Sequence, residues 1–200
     1  MLAARDCWVF DLDGTLTIPN IDFDAIRAEL GIPRGELILE YLATLPTPRA
    51  APLHARLAEL ERDLAARVLA QDGCRALLEH LAAAGCRLGI LTRNTRGNAR
   101  LSLARLGVAD LFAPDDVLGR DEAAPKPDPD GIHQLLARWG GAPDRGVMVG
   151  DFRLDLEAGR NAGVHTVHFD PAGDRPWPDL TDLAVRSLDE LRRAHGAGAP

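Results

Sequence analysis

The spacing of apolar residues changes character several times along the 200-residue chain. Cys7-Trp8-Val9-Phe10 is a short run with no helical period, which predicts a strand buried on both faces. From Ile18 to Gln71 such runs disappear. Ile21, Phe23, Ile26 and Leu30 fall at near-helical spacing before Gly31, a suitable C-cap. Pro33-Arg34-Gly35 predicts a turn, and Leu37, Ile38, Tyr41 and Leu42 form a second short helical face. After a break over 44–48, Leu53, Leu57, Leu60, Leu64 and Val68 recur every three or four residues, the stripe of a long amphipathic helix. Helices and strands then alternate. Helices are predicted over 73–84, 98–106, 132–139 and 154–162, the first, second and fourth stopped by Gly85, Gly107 and Gly163. Strands are predicted over 86–91, 116–118, 147–149 and 164–169. The Pro- and Asp-rich tail from Asp170 predicts one short helix over 188–194 and a loose Gly-Ala terminus. Strands alternating with helices give an α/β fold with a doubly wound parallel sheet. The chain thus divides into a core, 1–17 with 72–200, and an all-helical insertion, 18–71.

Composition narrows the function classes. An apolar fraction of 46% supports a substantial core, and a formal charge of −7 argues against a nucleic-acid-binding face. No run of about eighteen apolar residues is present, so no membrane span is expected. Arg5 and Asp6 lie just before the first strand, unlike a secretory signal. Cys7, Cys74 and Cys86 are odd in number and widely spaced, so they read as reduced thiols of a cytoplasmic protein.

The chemistry concentrates where the first strand ends. Asp11 and Asp13 alternate with Leu12, so both carboxylates can flank one point, and Gly14 permits a sharp turn after them. Carboxylates that close repel unless a cation or shared proton intervenes, and Mg²⁺ suits hard oxygen donors. An Asx turn closing the strand is the plainer alternative. Thr92 follows the apolar run Leu88-Gly89-Ile90-Leu91; its hydroxyl and the next N–H groups can hold phosphate oxygens, or it can simply cap a helix. Lys126 stands in Ala124-Pro125-Lys126-Pro127-Asp128-Pro129, where prolines stiffen the loop and preposition the ammonium. Asp151 follows Gly150 at another strand end, and Asp155 lies one helical turn later; a helix N-terminus would favour acids there in any case.

Asp11-Leu12-Asp13-Gly14-Thr15 resembles the signature of the haloacid-dehalogenase-like hydrolase superfamily. Thr92, the proline-flanked Lys126 and Gly150-Asp151 through Gly163 resemble its second, third and fourth motifs, in order on successive strand ends. The likeness is to the helical-cap branch that includes phosphoglycolate phosphatase-like enzymes. At about fifty residues, this cap is shorter than usual and matches in position only. The second motif departs from the common pattern: Arg93 stands where Asn often follows the Thr, and Asn94 comes next.

The resemblance implies a phosphatase acting on a small phosphorylated metabolite. In that assignment Asp11 is nucleophile, Asp13 general acid/base and Lys126 the residue offsetting charge. Thr92, Arg93 and Asn94 contact the phosphate. Mg²⁺ is held by Asp11, the Asp13 backbone carbonyl and Asp151, with Asp155 in support. A monomer or dimer without nucleic-acid or membrane partners is expected. A phosphosugar mutase on the same motifs, or a binding protein that has lost catalysis, are the alternatives. Phosphoglycolate-like acids are the family-level substrate, with Arg27, Arg34 and Arg49 as cap cations for a second anionic group.

Overall fold

β1 (Cys7–Phe10) sits in the middle of a six-stranded, all-parallel sheet, and each of its four residues is buried. The sheet runs β3-β2-β1-β4-β5-β6, with β2 at Arg87–Leu91, β3 at Val117–Leu118, β4 at Gly146–Gly150, β5 at His165–Phe169 and β6 at Leu183–Val185. The computed structural model describes residues 2–19 and 22–197. Alternation along β1 feeds two apolar layers. Trp8 and Phe10 pack with Leu77, Leu78 and Leu81 of α4 (Cys74–Ala83), Leu103 of α5 (Arg96–Arg105) and Leu191 of α8 (Leu188–Gly196). Cys7 and Val9 pack with Ile132 and Leu135 of α6 (Asp130–Trp139) and Ala158 of α7 (Arg153–Asn161). Helices on both faces explain why the strand reads as a continuous apolar run.

This order puts the site where it is. From β1 the chain winds outward through β2 and β3, then returns to lay β4 on the other side of β1. Loops leaving the carboxyl ends of β1 and β4 therefore diverge and open a crevice. Phe10 is in register with Val149, and Asp11 N–H still donates to the Val149 carbonyl at 2.9 Å. The ladder itself thus brings Asp11 beside Gly150-Asp151.

The segment between β1 and α4 holds α1 (Phe23–Leu30), α2 (Ile38–Ala43) and α3 (Thr47–Ala65). Ile26, Leu30, Ile38, Leu42 and Leu57 form a third apolar cluster, separate from the two sheet layers. The two chain crossings that lead into and out of it are tied together: Ile18 N–H donates to the Leu69 carbonyl and Gln71 N–H to the Leu16 carbonyl, both at 2.9 Å. Asp22 caps α1 by accepting from Ala25 N–H, and Gly31 ends it in the left-handed region at φ 67°. Ile21, the first position of the expected α1 stripe, lies outside the described residues.

Three expectations needed correction. The break expected over 44–48 is shorter, because α3 begins at Thr47 with proline in its first turn, where a missing N–H costs nothing. Val68 lies beyond α3, which ends at Ala65, yet it is buried. The tail contributes β6 as well as a helix; three residues are too short to display a period, and β6 is fixed by pairing with β5. All three cysteines are free; Cys7 and Cys74 are buried and Cys86 is half-buried. Among the described residues no helix is long and apolar enough to cross a membrane.

Candidate active site

Four carboxylates and one ammonium meet at the carboxyl ends of β1 and β4. Lys126, the only lysine in the chain, is 2% exposed, and its Nζ lies 2.6 Å from Asp11 Oδ1 and 2.6 Å from Asp155 Oδ1. Burial works against its charge, but the two carboxylates outweigh burial and raise its pKa, so the ammonium persists. The single compact ammonium reaches both acids at once. Asp155 is bound at both oxygens: Oδ1 meets Lys126, and Oδ2 accepts from Phe152 N–H at 3.0 Å, closing the first turn of α7. It both caps the helix and fixes the lysine.

Asp151 is held by Thr15, whose Oγ1 donates to Asp151 Oδ1 at 2.9 Å. Gly14 makes the approach possible. Its φ is 95°, and a Cβ there would sit 2.5 Å from Asp151 Oδ2. Burial and the neighbouring Asp155 charge push the Asp151 carboxyl up to about 6. Asp11 is pushed well up by burial, against Lys126, with the adjacent acids adding to the rise. Asp13 is raised by burial while Asn94 and Lys126 oppose. Carboxylate oxygens of Asp11, Asp151 and Asp155 lie within 4.8 Å of one another. Such a crowded set of hard oxygen donors fits a divalent cation such as Mg²⁺. The Asp13 carboxylate is not in that set.

Thr92 and Asn94 follow β2 and are buried. Thr92 is not the cap of α5; that place belongs to Thr95, which accepts from Asn98 N–H at 3.2 Å. The Thr92 hydroxyl instead accepts from Asn94 N–H at 3.1 Å. Asn94 Oδ1 accepts from Thr95 N–H and from Asn98, which turns its amide nitrogen toward Asp13 at 3.5 Å. Arg93 lines the same space, but its guanidinium donates to the Lys126 carbonyl at 2.7 Å and to Glu40 at 2.6 Å.

These residues form the floor of a cavity of about 690 Å³ roofed by α1, α2 and α3. Of the three cap arginines singled out in the sequence, Arg27 alone lines it, donating to the Glu36 carbonyl and pairing with Asp24. Arg34 is 88% exposed, and Arg49 is exposed. Glu61 of α3 and Thr15 were not singled out. Glu61 falls between Leu57 and Leu64 at i+4 and i−3, so an acid beside an apolar stripe was the available signal. Burial raises its pKa, while Arg120 at 2.7 Å opposes.

Comparison with known proteins gives a consistent result. The profile of the haloacid dehalogenase-like hydrolases matches residues 20–169. A phosphoglycolate phosphatase of Rhodospirillum rubrum is 34% identical over 206 residues, covering 88% of this chain and 85% of that protein. An N-acetylmuramic acid 6-phosphate phosphatase of Pseudomonas aeruginosa is 30% identical over 183 residues, covering 79% and 78%. A hydrolase of the same family from Deinococcus radiodurans, solved with phosphate and sodium bound, aligns with a TM-score of 0.69 at 24% identity over 98% of this chain and 96% of that one.

Proposed function

The chain belongs to the haloacid dehalogenase-like hydrolase family, and from that premise we propose that it is a Mg²⁺-dependent phosphatase hydrolysing a small phosphorylated metabolite through an aspartyl-phosphate. The observation that carries this is the buried Lys126 ammonium, 2.6 Å from both Asp11 and Asp155, beside acids from two neighbouring strand ends. It is supported by relatives whose names are phosphatases of small phosphate esters.

Asp11 attacks phosphorus, and the bond from phosphorus to the alcohol oxygen breaks. Asp13 gives its proton to the departing oxygen; a carboxyl raised by burial keeps that proton closer to neutral pH. In the second step water attacks the phosphoryl group as Asp13 takes its proton. The bond to Asp11 breaks, inorganic phosphate leaves and the Asp11 carboxylate is restored. Lys126 holds Asp11 Oδ1 and offsets negative charge throughout. The Thr92 hydroxyl and the Asn94 side-chain amide would offer donors to the phosphoryl oxygens. Arg93 acts from the wall, tied to Glu40. Asp11, Asp151 and the Asp13 carbonyl would hold Mg²⁺, with Asp155 in support; when bound, it would supply positive charge that offsets the charge of the phosphoryl group.

The same proposal divides the chain into a catalytic core (1–17, 72–200) and a cap (18–71) that selects the substrate. Replacing residues 21–70 by a short linker should leave a folded core with residual activity on an aryl phosphate. The decisive assay is nitrophenyl phosphate turnover with Mg²⁺, its loss in EDTA, and rapid acid quench with labelled substrate, which should leave label on Asp11. Full activity in EDTA, or no turnover of any phosphate monoester, would sink the proposal.

A further inference from the structure

Resting on the phosphatase assignment, we propose that Arg93 is a positioning residue: it seats the Lys126 loop for the attack by Asp11, with Glu40 of α2 fixing its other end, so that the chemical step depends on the helical segment being in place. Arg93 lines the cavity, yet both terminal nitrogens of its guanidinium are engaged. Nη1 donates to the Lys126 carbonyl at 2.7 Å and Nη2 to Glu40 Oε2 at 2.6 Å. A guanidinium suits such a strap, since its planar fork presents donors in fixed, divergent directions.

The Lys126 loop needs a donor of this kind. Pro125 and Pro127 have no N–H to give, so this stretch is held through its carbonyls. The Pro125 carbonyl accepts from Asp128 N–H at 3.1 Å, inside the loop, and the Pro127 carbonyl from Asn161 of α7 at 3.0 Å. The Lys126 carbonyl between them accepts from Arg93. Of these three donors, Arg93 alone also bonds the helical segment. Arg93 is anchored from behind as well. Arg120 Nη1 donates to the Arg93 carbonyl at 3.3 Å and to Glu61 of α3 at 2.7 Å, and Arg120 N–H donates to the Asn94 carbonyl at 2.9 Å. Both side-chain bonds that join 18–71 to the core among the described residues thus converge on the Thr92-Arg93-Asn94 turn. The two differ in exposure. Arg120 and Glu61 are 10% and 13% exposed, whereas Arg93 and Glu40 are 22% and 44% exposed. Water can therefore replace Glu40 when the segment lifts, and the guanidinium then loses one of the two fixed points that aim it at the Lys126 carbonyl. The Lys126 ammonium, 2.6 Å from Asp11, loses part of its seating with it, and a shift of about 1 Å among reacting groups can cost about 10²-fold in rate.

The test is single-turnover release of nitrophenolate from nitrophenyl phosphate with the Mg²⁺-loaded protein in excess, which reads the attack by Asp11, run beside steady-state KM and inhibition by inorganic phosphate. Arg93→Met should slow release by about 10- to 100-fold while KM and the inhibition constant move less than about threefold. Glu40→Ala, at an exposed position, should slow it by about 3- to 10-fold; added to Arg93→Met it should cost less than about twofold more, because Glu40 acts through Arg93. An unchanged rate in Arg93→Met, or a Glu40→Ala effect of equal size in both backgrounds, overturns the proposal. A rise in KM and in the inhibition constant that accounts for the whole loss makes Arg93 a phosphate contact and overturns it equally. Should Arg93→Met fail to fold, Glu40→Ala decides alone: slower release at unchanged KM supports the proposal, and a rate within about twofold of wild type overturns it. If the wild-type protein turns over nitrophenyl phosphate no better than buffer, the phosphatase assignment itself fails and the inference goes with it.

Discussion

On the sheet side of the cavity, Lys126 and Asp11 meet at 2.6 Å with side chains 2% and 10% exposed; on the helical side, Arg93 and Glu40 meet at the same 2.6 Å with 22% and 44% exposed. Equal distances do not mean equal strength. Water screens the second pair, and such pairs contribute about 0–1 kcal/mol. The first pair has lost its water, so each partner depends on the other, and removing one leaves an uncompensated buried charge. The floor is therefore held by strand ends and by a buried charge pair. The roof has an apolar cluster of its own and is joined to the floor by the screened Arg93–Glu40 pair and by the Arg120–Glu61 pair, whose side chains are 10% and 13% exposed.

Four experiments would break or sharpen that contrast. The largest effect belongs to the founding acids. Asp11→Asn should abolish turnover and leave no covalent phosphate after acid quench. Asp13→Asn should lose about 10²- to 10⁴-fold, less for a nitrophenyl ester whose leaving group needs little protonation. If Asp11→Asn kept turning over while Asp13→Asn was inert to every leaving group, the two roles would have to be exchanged.

Next comes Lys126→Met, which leaves Asp11 and Asp155 buried without their cation. Urea unfolding should show a loss of about 3–5 kcal/mol together with loss of activity. A change below about 1 kcal/mol would mean that the floor is no stiffer than the roof.

The third effect depends on pH. In metal-free protein Asp151 titrates at about 6 rather than 3.8. Its folded pKa is raised, so the folded state holds the proton more tightly. That stabilisation is present below 3.8 and is lost as pH rises through about 6. In EDTA, Asp151→Asn should therefore gain on the wild-type protein between pH 4 and pH 7, by at most about 3 kcal/mol, while losing its response to Mg²⁺. A melting-temperature difference that stays flat over this interval would remove crowding as the cause.

The smallest effect is expected on the roof. Glu40→Gln removes the partner of Arg93 and should cost no more than about 1 kcal/mol in thermal unfolding. A loss of several kcal/mol would show that roof and floor fold as one unit and that the proposed domain division is wrong.

The floor was legible in the sequence because each of its parts carries a local signal. Asp11 and Asp13 end an apolar run and precede Gly14, Lys126 stands between prolines, and Gly150-Asp151 repeats the strand-end pattern. Backbone geometry and the pairing of β1 with β4 do the rest, since strand ends in register bring their next residues together. β6 was missed for the opposite reason: three residues carry no period, and pairing with β5 alone makes them a strand.

The sequence by itself determined the parallel α/β sheet, the helical insertion and the charged floor, because these follow from periodicity, turn chemistry and residue types at strand ends. Only the tertiary structure decided the partners. It gave Arg93 to Glu40, Arg27 to Asp24 and the Glu36 carbonyl, and Thr95 rather than Thr92 to the start of α5. It also set Glu61 over the cavity with one oxygen unclaimed. An arginine or glutamate looks alike in sequence whether it is solvated, paired or facing a ligand. What separates those states is the distance to groups far along the chain and the water that packing has removed, and neither is written in local spacing.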